Sequence, residues 1–436
     1  MNFGVQAWGS RGDIMPLVEL GKGLRLKGHG VSIVIADVHS RKYDTEFDGL
    51  GVDVSHVPVF LDPKFFKEFE KCFAKGGAVR IGKAIFSFLY DPFSERLYDE
   101  GVKLCQKSDV LIRHFADYSA QTAAQVTKTP EVSLAVAHRA VSSKYTAPQL
   151  TDLKVPNVST ILNRVLWALT KKTYNNNYLS IVNTLRTSRG LSPIKDFISE
   201  SWSSSLLNLV AVSPSICEKK NDWGEQHRVC GYIGDLEPSA GWVAPEALKR
   251  FINKGQGRLI LMTLGSLASP GKSEELTKLM TNFSCAAKEA GCRAVIQTPV
   301  LDEDNFPQGD HVYYTTHVSY RDVFPLCDLI VHHGGAGTLH LACAAGVPSV
   351  IVPSIEEQYF WNEELKRLGV ACEAVRINRL TPENLGRAIK KVLNCPNAKS
   401  NAQQLALNMK GEDGLASAVN ILEETFTKNG SLEYRF

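Results

Sequence analysis

The sequence contains no apolar run approaching the ~18 residues that a bilayer-spanning helix needs. Its opening, MNFGVQAWGSRGD, has no charged leader followed by a long apolar core, which argues against a secretory signal. No Cys-x-x-Cys pair occurs. The ten cysteines are scattered singly, so neither a disulfide framework nor a zinc site is expected, and reduced thiols in the cytoplasm are. Charge of either sign is also scarce in excess: the formal net is +3, too little to imply a nucleic-acid partner. No Gly-x-Gly-x-x-Gly opens the first strand–helix unit, which makes a dehydrogenase a weak reading. Between Asp152 and Asp196 no acidic residue is found at all, while Lys154, Arg164, Lys171, Lys172, Arg186, Arg189 and Lys195 are. Apolar residues recur there at helical intervals, at Ile161, Val165 and Leu169, then Leu179, Val182 and Leu185. One or two basic amphipathic helices follow, either as a solvated face over a packed one or as a contact with a membrane surface through residues 154–195.

What is present is an ordinary globular balance, with 44% hydrophobic and 22% charged residues over 436 positions, enough for two cores. Short β-branched runs at Phe3–Ala7, Val31–Ala36, Val110–Ile112 and Val132–Val136 alternate with helical patterns at Pro16–Lys27 and Ala120–Val126. The alternation restarts at Leu259–Thr263, with a helix at Ser273–Ala290, strands at Ala294–Gln297, Leu329–His332 and Ser349–Val352, and a helix from Thr338 to Ala345. The fold class expected is α/β, with two Rossmann-like, doubly wound domains. Residues 1–235 form the first and 236–415 the second, with the turn-rich Gly234–Gly241 between them. A last helix within 416–436 is expected to cross back to the first domain.

Four loops carry candidate chemistry. The motif HHGGAGT, His332 to Thr338, follows a strand and opens a helix. Gly334, Gly335 and Gly337 let the backbone turn tightly, so the N–H groups of Gly335, Ala336, Gly337 and Thr338 face an anion, with His332 as a further donor. A diphosphate fits that description. The loop LGSLASPG places Ser266 after the strand Leu259–Thr263, where it can donate to a phosphate or simply form a turn. Glu357 and Gln358 follow the strand Ser349–Val352. They supply acceptors and donors for neighbouring sugar hydroxyls, or else favourable charge at a helix start. In WGSRGDIMP, Asp13 precedes a helix: it can take a proton from a hydroxyl, or it can cap that helix.

Together these residues resemble the sterol glucosyltransferases and the bacterial antibiotic glycosyltransferases. GSRGDIMPLVELGKGLRLKGHGVSIV is similar to their opening. HVSYRDVFPLCDLIVHHGGAGTLHLACAAGVPSVIVPSIEEQYFW is similar to their nucleotide-sugar signature. The resemblance implies a GT-B fold, two facing domains with an interdomain cleft, the first binding acceptor and the second binding donor. It implies an inverting transfer of a hexose, glucose foremost, from a UDP-sugar to a hydroxyl of a lipophilic small molecule such as a sterol, triterpene or polyketide, with no metal or other cofactor. It implies Asp13 as the general base; Ser266, His332 and the backbone of Gly335 to Thr338 on the diphosphate; Val318 and His317 at the nucleobase; and Glu357 and Gln358 on the sugar. His138, beyond the strand Val132–Val136, is the alternative base. Two departures stand out. Glu357 replaces the Asp that relatives carry, displacing the carboxylate by ~1.5 Å, and His317 replaces a larger ring. The phenylalanines of the stretch Phe60–Leu89 suggest a greasy acceptor pocket or a core. A nucleotide-sugar epimerase, or a non-catalytic nucleotide-sugar or lipid binder, are the rival readings of the same residues.

Overall fold

The computed structural model describes residues 1–60, 82–148, 159–237, 241–255, 257–265, 274–302 and 304–426. Ser266, Lys154 and Phe65, Phe66, Phe69 and Phe73 lie outside them. The chain divides into two compact units, Met1–Gly234 with Glu412–Phe436, and Asp235–Gly411.

The first unit is built on a seven-stranded sheet in the order β3-β2-β1-β4-β5-β6-β7. The strands are β1 (Asn2–Gly9), β2 (Gly30–Asp37), β3 (Asp53–His56), β4 (Val110–His114), β5 (Glu131–Ala135), β6 (Leu207–Val210) and β7 (His227–Val229), and every pairing is parallel. Alternate residues of these strands serve two different cores. Phe3, Val5, Ala7, Ile33, Ile35, Ile112 and Leu134 pack with helix α1 (Arg11–Leu26) on one face. Trp8, Val34, Ala36 and Leu111 pack on the other with helices α2 (Ser94–Gln106), α3 (Tyr118–Thr127) and α4 (Thr160–Ser188). A strand buried on both faces needs no polar alternation, which is why these segments read as continuous apolar runs. The basic segment forms a single helix, α4, rather than two. Its second half enters the core through Tyr178, Val182 and Leu185.

The second unit has a five-stranded parallel sheet in the order β10-β9-β8-β11-β12. It follows helix α5 (Glu246–Asn253). Its elements run β8 (Arg258–Thr263), α6 (Glu274–Ala290), β9 (Cys292–Gln297), β10 (Val312–Thr315), the single turn α7 (Tyr320–Val323), β11 (Leu329–His332), α8 (Ala336–Ala344), β12 (Ser349–Ile351) and α9 (Glu356–Arg367). Helices α10 (Pro382–Leu393) and α11 (Ala398–Met409) complete it.

The last helix, α12 (Gly414–Phe426), packs Ala418, Val419, Ile421, Leu422 and Phe426 into the core that holds Ile14, Leu17 and Phe3. Asp413 starts it, its Oδ1 accepting from the Ala416 N–H at 2.8 Å, so the chain rejoins the first unit a few residues ahead of 416. The buried His29 meets Glu423 Oε1 through its Nε2 at 3.0 Å. Two glycines permit the entry. A Cβ on Gly414 would lie 2.2 Å from the Tyr232 carbonyl oxygen, and one on Gly231, whose φ is +101°, would lie 2.8 Å from Gly414 Cα.

That crossing reverses the usual helix preference. Elsewhere in a helix, Gly→Ala gains ~1 kcal/mol. At position 414 the added methyl meets backbone that cannot rotate away, a clash of the overpacking kind that costs ~1–3 kcal/mol. Gly414→Ala is therefore expected to lower the melting temperature by several degrees. A thermal unfolding curve unchanged or raised by the substitution contradicts the close approach.

Candidate active site

In both sheets the chain first winds outward in one direction and then returns to the other side of its starting strand. The first unit runs β1, β2, β3 and then places β4 against β1; the second runs β8, β9, β10 and then places β11 against β8. The loops leaving two such adjacent strands diverge to opposite faces, and the crevice at their carboxyl ends is where open α/β sheets hold ligands. Asp13 follows β1 and His332 ends β11, so these two fall at the crevices, while Glu357 and Gln358 follow β12, His317 and Val318 follow β10, and His138 follows β5.

In the second unit, β11 pairs with β8 so that His332 lies opposite Thr263, and with β12 so that His332 lies opposite Ile351. Three loops are thereby brought together. Gly265 sits against His333, since a Cβ there would fall 2.7 Å from the His333 Cε1. A Cβ on Gly335 would fall 2.3 Å from His333 Nε2, so the imidazole of His333 is held between two glycines. Gly334, at φ +91°, lies against Ile351 and the Gln358 carbonyl, where a Cβ would meet them at 2.9 and 3.1 Å. Helix α8 starts from this turn with Gly335 as its N-cap, and Gly335 to Thr338 are partly exposed. Their N–H groups precede the first intrahelical bonds and carry the positive end of the helix dipole.

His332 does not lie on the surface. It is 0% exposed, and its Nδ1 accepts from the Gly334 N–H at 3.2 Å, which leaves the proton on Nε2. That Nε2 is buried without a hydrogen-bond partner. Burial, with His333 alongside, pushes the His332 pKa down to about 3, and burial pushes that of His333 down to about 4. Both rings are thus neutral near pH 7. The donors left toward solvent at this turn are consequently main-chain N–H groups of 335–338, while His332 is a buried neutral donor. His333 was not singled out from the sequence, although the doubled histidine of the motif was the available signal.

Glu357 stands in the first turn of α9, half-buried, with Oε1 accepting from Trp361 Nε1 at 3.3 Å. Gln358 is 2% exposed, and its Oε1 accepts from the Ser354 N–H at 2.7 Å, the Ser354 hydroxyl at 3.1 Å and the Ile355 N–H at 3.3 Å. Its carbonyl is therefore committed to holding the helix start, and only its amide NH2 is left for a ligand. At the other side of the crevice, the Thr263 hydroxyl bonds Gln297 Oε1 at 2.9 Å and the Tyr320 hydroxyl at 2.7 Å. The turn after β10 is fixed by Thr315, whose hydroxyl donates to the His317 carbonyl at 2.7 Å and accepts from its N–H at 3.3 Å. This leaves the His317 side chain exposed and Val318 buried.

In the first unit, Asp13 is the third residue of α1 and not its cap. Ser10 holds the cap position, and Asp13 Oδ2 accepts from the Ser10 N–H at 2.9 Å and its hydroxyl at 2.8 Å, the carboxylate half of a capping box. Gly9, at φ +127°, folds over it, a Cβ there falling 2.6 Å from that oxygen. The other oxygen, Oδ1, lies 3.7 Å from Nε2 of His114 at the end of β4. His114 is 2% exposed, and that Nε2 has no hydrogen-bond partner. Burial by itself would raise the Asp13 pKa, but the His114 imidazole and the Ser10 donors outweigh it and hold the carboxyl below its ordinary value. His114 escaped the sequence reading because nothing local marks it: the parallel register of β1 with β4, Gln6 opposite Arg113, delivers it.

Trp8 meets His114 edge-on at 5.9 Å and Tyr90 at 4.7 Å, with the half-buried Phe86 at 6.2 Å. Phe86 also packs on Tyr178 and Phe197, so this phenylalanine belongs to the core. His138 is buried in a short turn beyond β5. A polar cavity of about 600 Å³ near Gln121, Arg186, Trp223 and His227 is lined by none of the candidate residues. Among the described residues, no group of three His, Cys, Asp or Glu side chains is arranged to hold a metal ion, and no helix is long and apolar enough to cross a membrane.

Known proteins resemble the chain throughout its length. Residues 301–425 match the family described as erythromycin biosynthesis protein CIII-like, C-terminal domain. The O-mycaminosyltylonolide 6-deoxyallosyltransferase of Streptomyces fradiae is 26% identical, over 97% of this chain and 97% of its own length. The sterol 3-beta-glucosyltransferase UGT80A2 of Arabidopsis thaliana is 28% identical over 94% of this chain, which spans 63% of that relative's length. Among solved structures, the glycotransferase of kitacinnamycin superposes with a TM-score of 0.65 at 18% identity, covering 98% of this chain and 99% of that one. The glycosyltransferase VinC, solved in complex with DTDP, superposes at 0.63 and 18%, over 98% and 99% of the two chains. With two parallel sheets and both crevices in hand, the chain has the GT-B fold, and it is similar in sequence to sterol 3-beta-glucosyltransferases and an antibiotic glycosyltransferase, with residues 301–425 matching the EryCIII-like C-terminal domain.

Proposed function

We propose that this protein is an inverting glycosyltransferase that moves a hexose, glucose foremost, from a UDP-sugar to a hydroxyl of a lipophilic small molecule such as a sterol, triterpene or polyketide. The observation that carries the reading is the state of Asp13. One oxygen is fixed by Ser10, and the other is directed toward a buried imidazole at the switch point of the first sheet. A carboxylate needed only for capping requires neither the second partner nor that location. The relatives support the acceptor class by name, one acting on a sterol and one on a mycaminosyltylonolide. Such an acceptor is met in the cytoplasm or at the membrane surfaces that border it.

In this mechanism Asp13 accepts the hydroxyl proton as the oxygen attacks the anomeric carbon, and the bond to the diphosphate breaks on the opposite side. With a pKa below the ordinary ~3.9, Asp13 is a weak base, so proton transfer accompanies attack rather than preceding it. Negative charge grows on the diphosphate. The N–H groups of Gly335 to Thr338 and the dipole of α8 meet it, with the unsatisfied Nε2–H of His332 behind them. Because fixed dipoles supply this stabilisation, we propose that no metal ion is required. Ser266 is assigned to the same diphosphate, Glu357 and the Gln358 amide to the sugar, and Val318 with His317 to the nucleobase. Incubating UDP-glucose and dTDP-glucose with a panel of sterols, triterpenes and polyketides, and reading products by mass spectrometry, tests substrate and donor together. Glycoside formed from UDP-glucose is the expected result.

Asp13→Asn isolates the base. The amide oxygen can still accept from Ser10, so the cap and the melting temperature are expected to persist, while turnover falls ~10²–10⁴-fold. A well-folded variant with near-normal turnover removes Asp13 from the chemistry. The pH profile gives a second check. A carboxyl held below its ordinary value stays ionised at every pH above ~4, so the acid limb of turnover is expected below pH ~4, with no Asp13-dependent loss between pH 5 and 8. An acid limb near pH 6 that Asp13→Asn abolishes would contradict this. Glu357→Asp is expected to change the ratio of rates for glucose and other hexose donors while altering stability little. An unchanged ratio means that Glu357 does not touch the sugar.

A further inference from the structure

Helix α4 is long, and its two halves differ. The second half is anchored in the core through Tyr178, Val182 and Leu185. The first half also buries Trp167 in that core, and on the same side Asn163 Nδ2 donates to the Lys144 carbonyl at 2.9 Å and Trp167 Nε1 donates to the Thr146 carbonyl at 2.8 Å. On the opposite side Ile161 is 73% exposed, Leu162 38%, Val165 51% and Leu169 52%. Ile161, Val165 and Leu169 are spaced by four, so they form one continuous ridge with Leu162 at its border. A scattered exposed leucine needs no explanation, but four large aliphatic side chains on one helical face do.

The charge on the helix itself is of one sign. Arg164 and Lys172 are exposed beside it, and Lys171 sits one position behind Lys172, turned toward Asp196 at 3.6 Å. None of the 29 residues of the helix is acidic. An apolar ridge flanked by cations on a helix with no carboxylate of its own has the properties of a helix lying in the headgroup region of a membrane, its aliphatic side chains inserted and its cations on lipid phosphates and carboxylates. A second copy of the chain fits less well. Two such faces brought together would oppose Arg164 and Lys172 to their equivalents, with no acidic residue on the helix to offset the repulsion.

We propose that the face of α4 carrying Ile161, Leu162, Val165 and Leu169, flanked by Arg164 and Lys172, docks the protein peripherally on an anionic lipid surface. The inference goes beyond the transfer reaction and stands whether or not the chain moves a sugar. The affinity depends on both components. Aliphatic insertion alone is weak for so short a ridge, and two exposed cations alone are screened at moderate salt.

The test is co-sedimentation of the full chain with vesicles of phosphatidylcholine alone, and of phosphatidylcholine with about a third phosphatidylserine, at low and high salt. The expected result is binding to the anionic vesicles that weakens at high salt, with little binding to the neutral ones. Val165→Glu with Leu169→Glu places charge at two exposed positions, so the fold is expected to persist by circular dichroism and thermal unfolding. The apparent vesicle affinity is expected to drop more than tenfold. Arg164→Gln with Lys172→Gln is a milder pair that should reduce binding to anionic vesicles without changing the neutral baseline. Absence of binding by the wild type, or equal binding by the folded Val165→Glu/Leu169→Glu variant, overturns the proposal. So does a wild-type dimer in sedimentation velocity that the same variant dissociates, because the ridge is then covered by a second copy.

Discussion

The arrangement of this protein depends on a constraint of parallel sheets: a strand can be followed by a parallel neighbour only through a crossover, and the crossover can go to either side. In each unit the chain takes one side first and then the other. The register at the point of reversal sets the chemistry. Thr263 opposite His332 puts the start of α8 beside the loop at Gly265, and Gln6 opposite Arg113 puts His114 within 3.7 Å of Asp13. Because side chains alternate faces along a strand, a slip of one residue in either pairing would send the imidazole into the opposite core. The cores enforce the register, since Phe3, Val5 and Ala7 belong to one and Trp8 to the other.

The electrostatics of the two crevices are complementary in kind. Around His332 and His333 burial keeps both rings neutral, so the site carries donors without a competing net charge, and the positive contribution comes from backbone dipoles. Around Asp13 the partners overcome burial and the carboxylate stays ionised. A leaving diphosphate needs the first environment, and a hydroxyl losing its proton needs the second. The Nε2 atoms of His114 and His332 are buried without hydrogen-bond partners, an energetic cost that most folded proteins avoid by pairing such groups.

Much of this was legible in the sequence, and the limits have physical causes. The strands buried on both faces, such as Val31–Ala36 and Leu329–His332, announce themselves as β-branched runs, and the glycines of 334–337 mark a turn that no other residue could take so closely. Asp13 was ambiguous because capping and catalysis favour the same residue at the same place. Only the coordinates divide its oxygens between Ser10 and His114. Gln358 looked like a free amide, whereas its carbonyl accepts from the Ser354 and Ile355 N–H groups as the N3 residue of α9, the side-chain half of a capping box. The strands β3, β6, β7 and β10 went unnoticed, while the equally short β11 and β12 stood out, because DVSH, LNLV, HRV and VYYT mix polar or tyrosyl residues into the run that LIVH and SVI keep nearly apolar. His114 and His333 acquire significance only from strand pairing and from glycines at a distance in sequence.

The central proposal is that Asp13 takes the acceptor's proton in a single displacement at an anomeric carbon. Nuclear magnetic resonance of the purified product formed from UDP-glucose and a sterol tests it most directly, because the donor carries the α-configuration. In-line displacement in one step predicts a β-linked glycoside and release of UDP only when the acceptor is present. An α-linked product, or UDP released at the same rate without any acceptor, would contradict it.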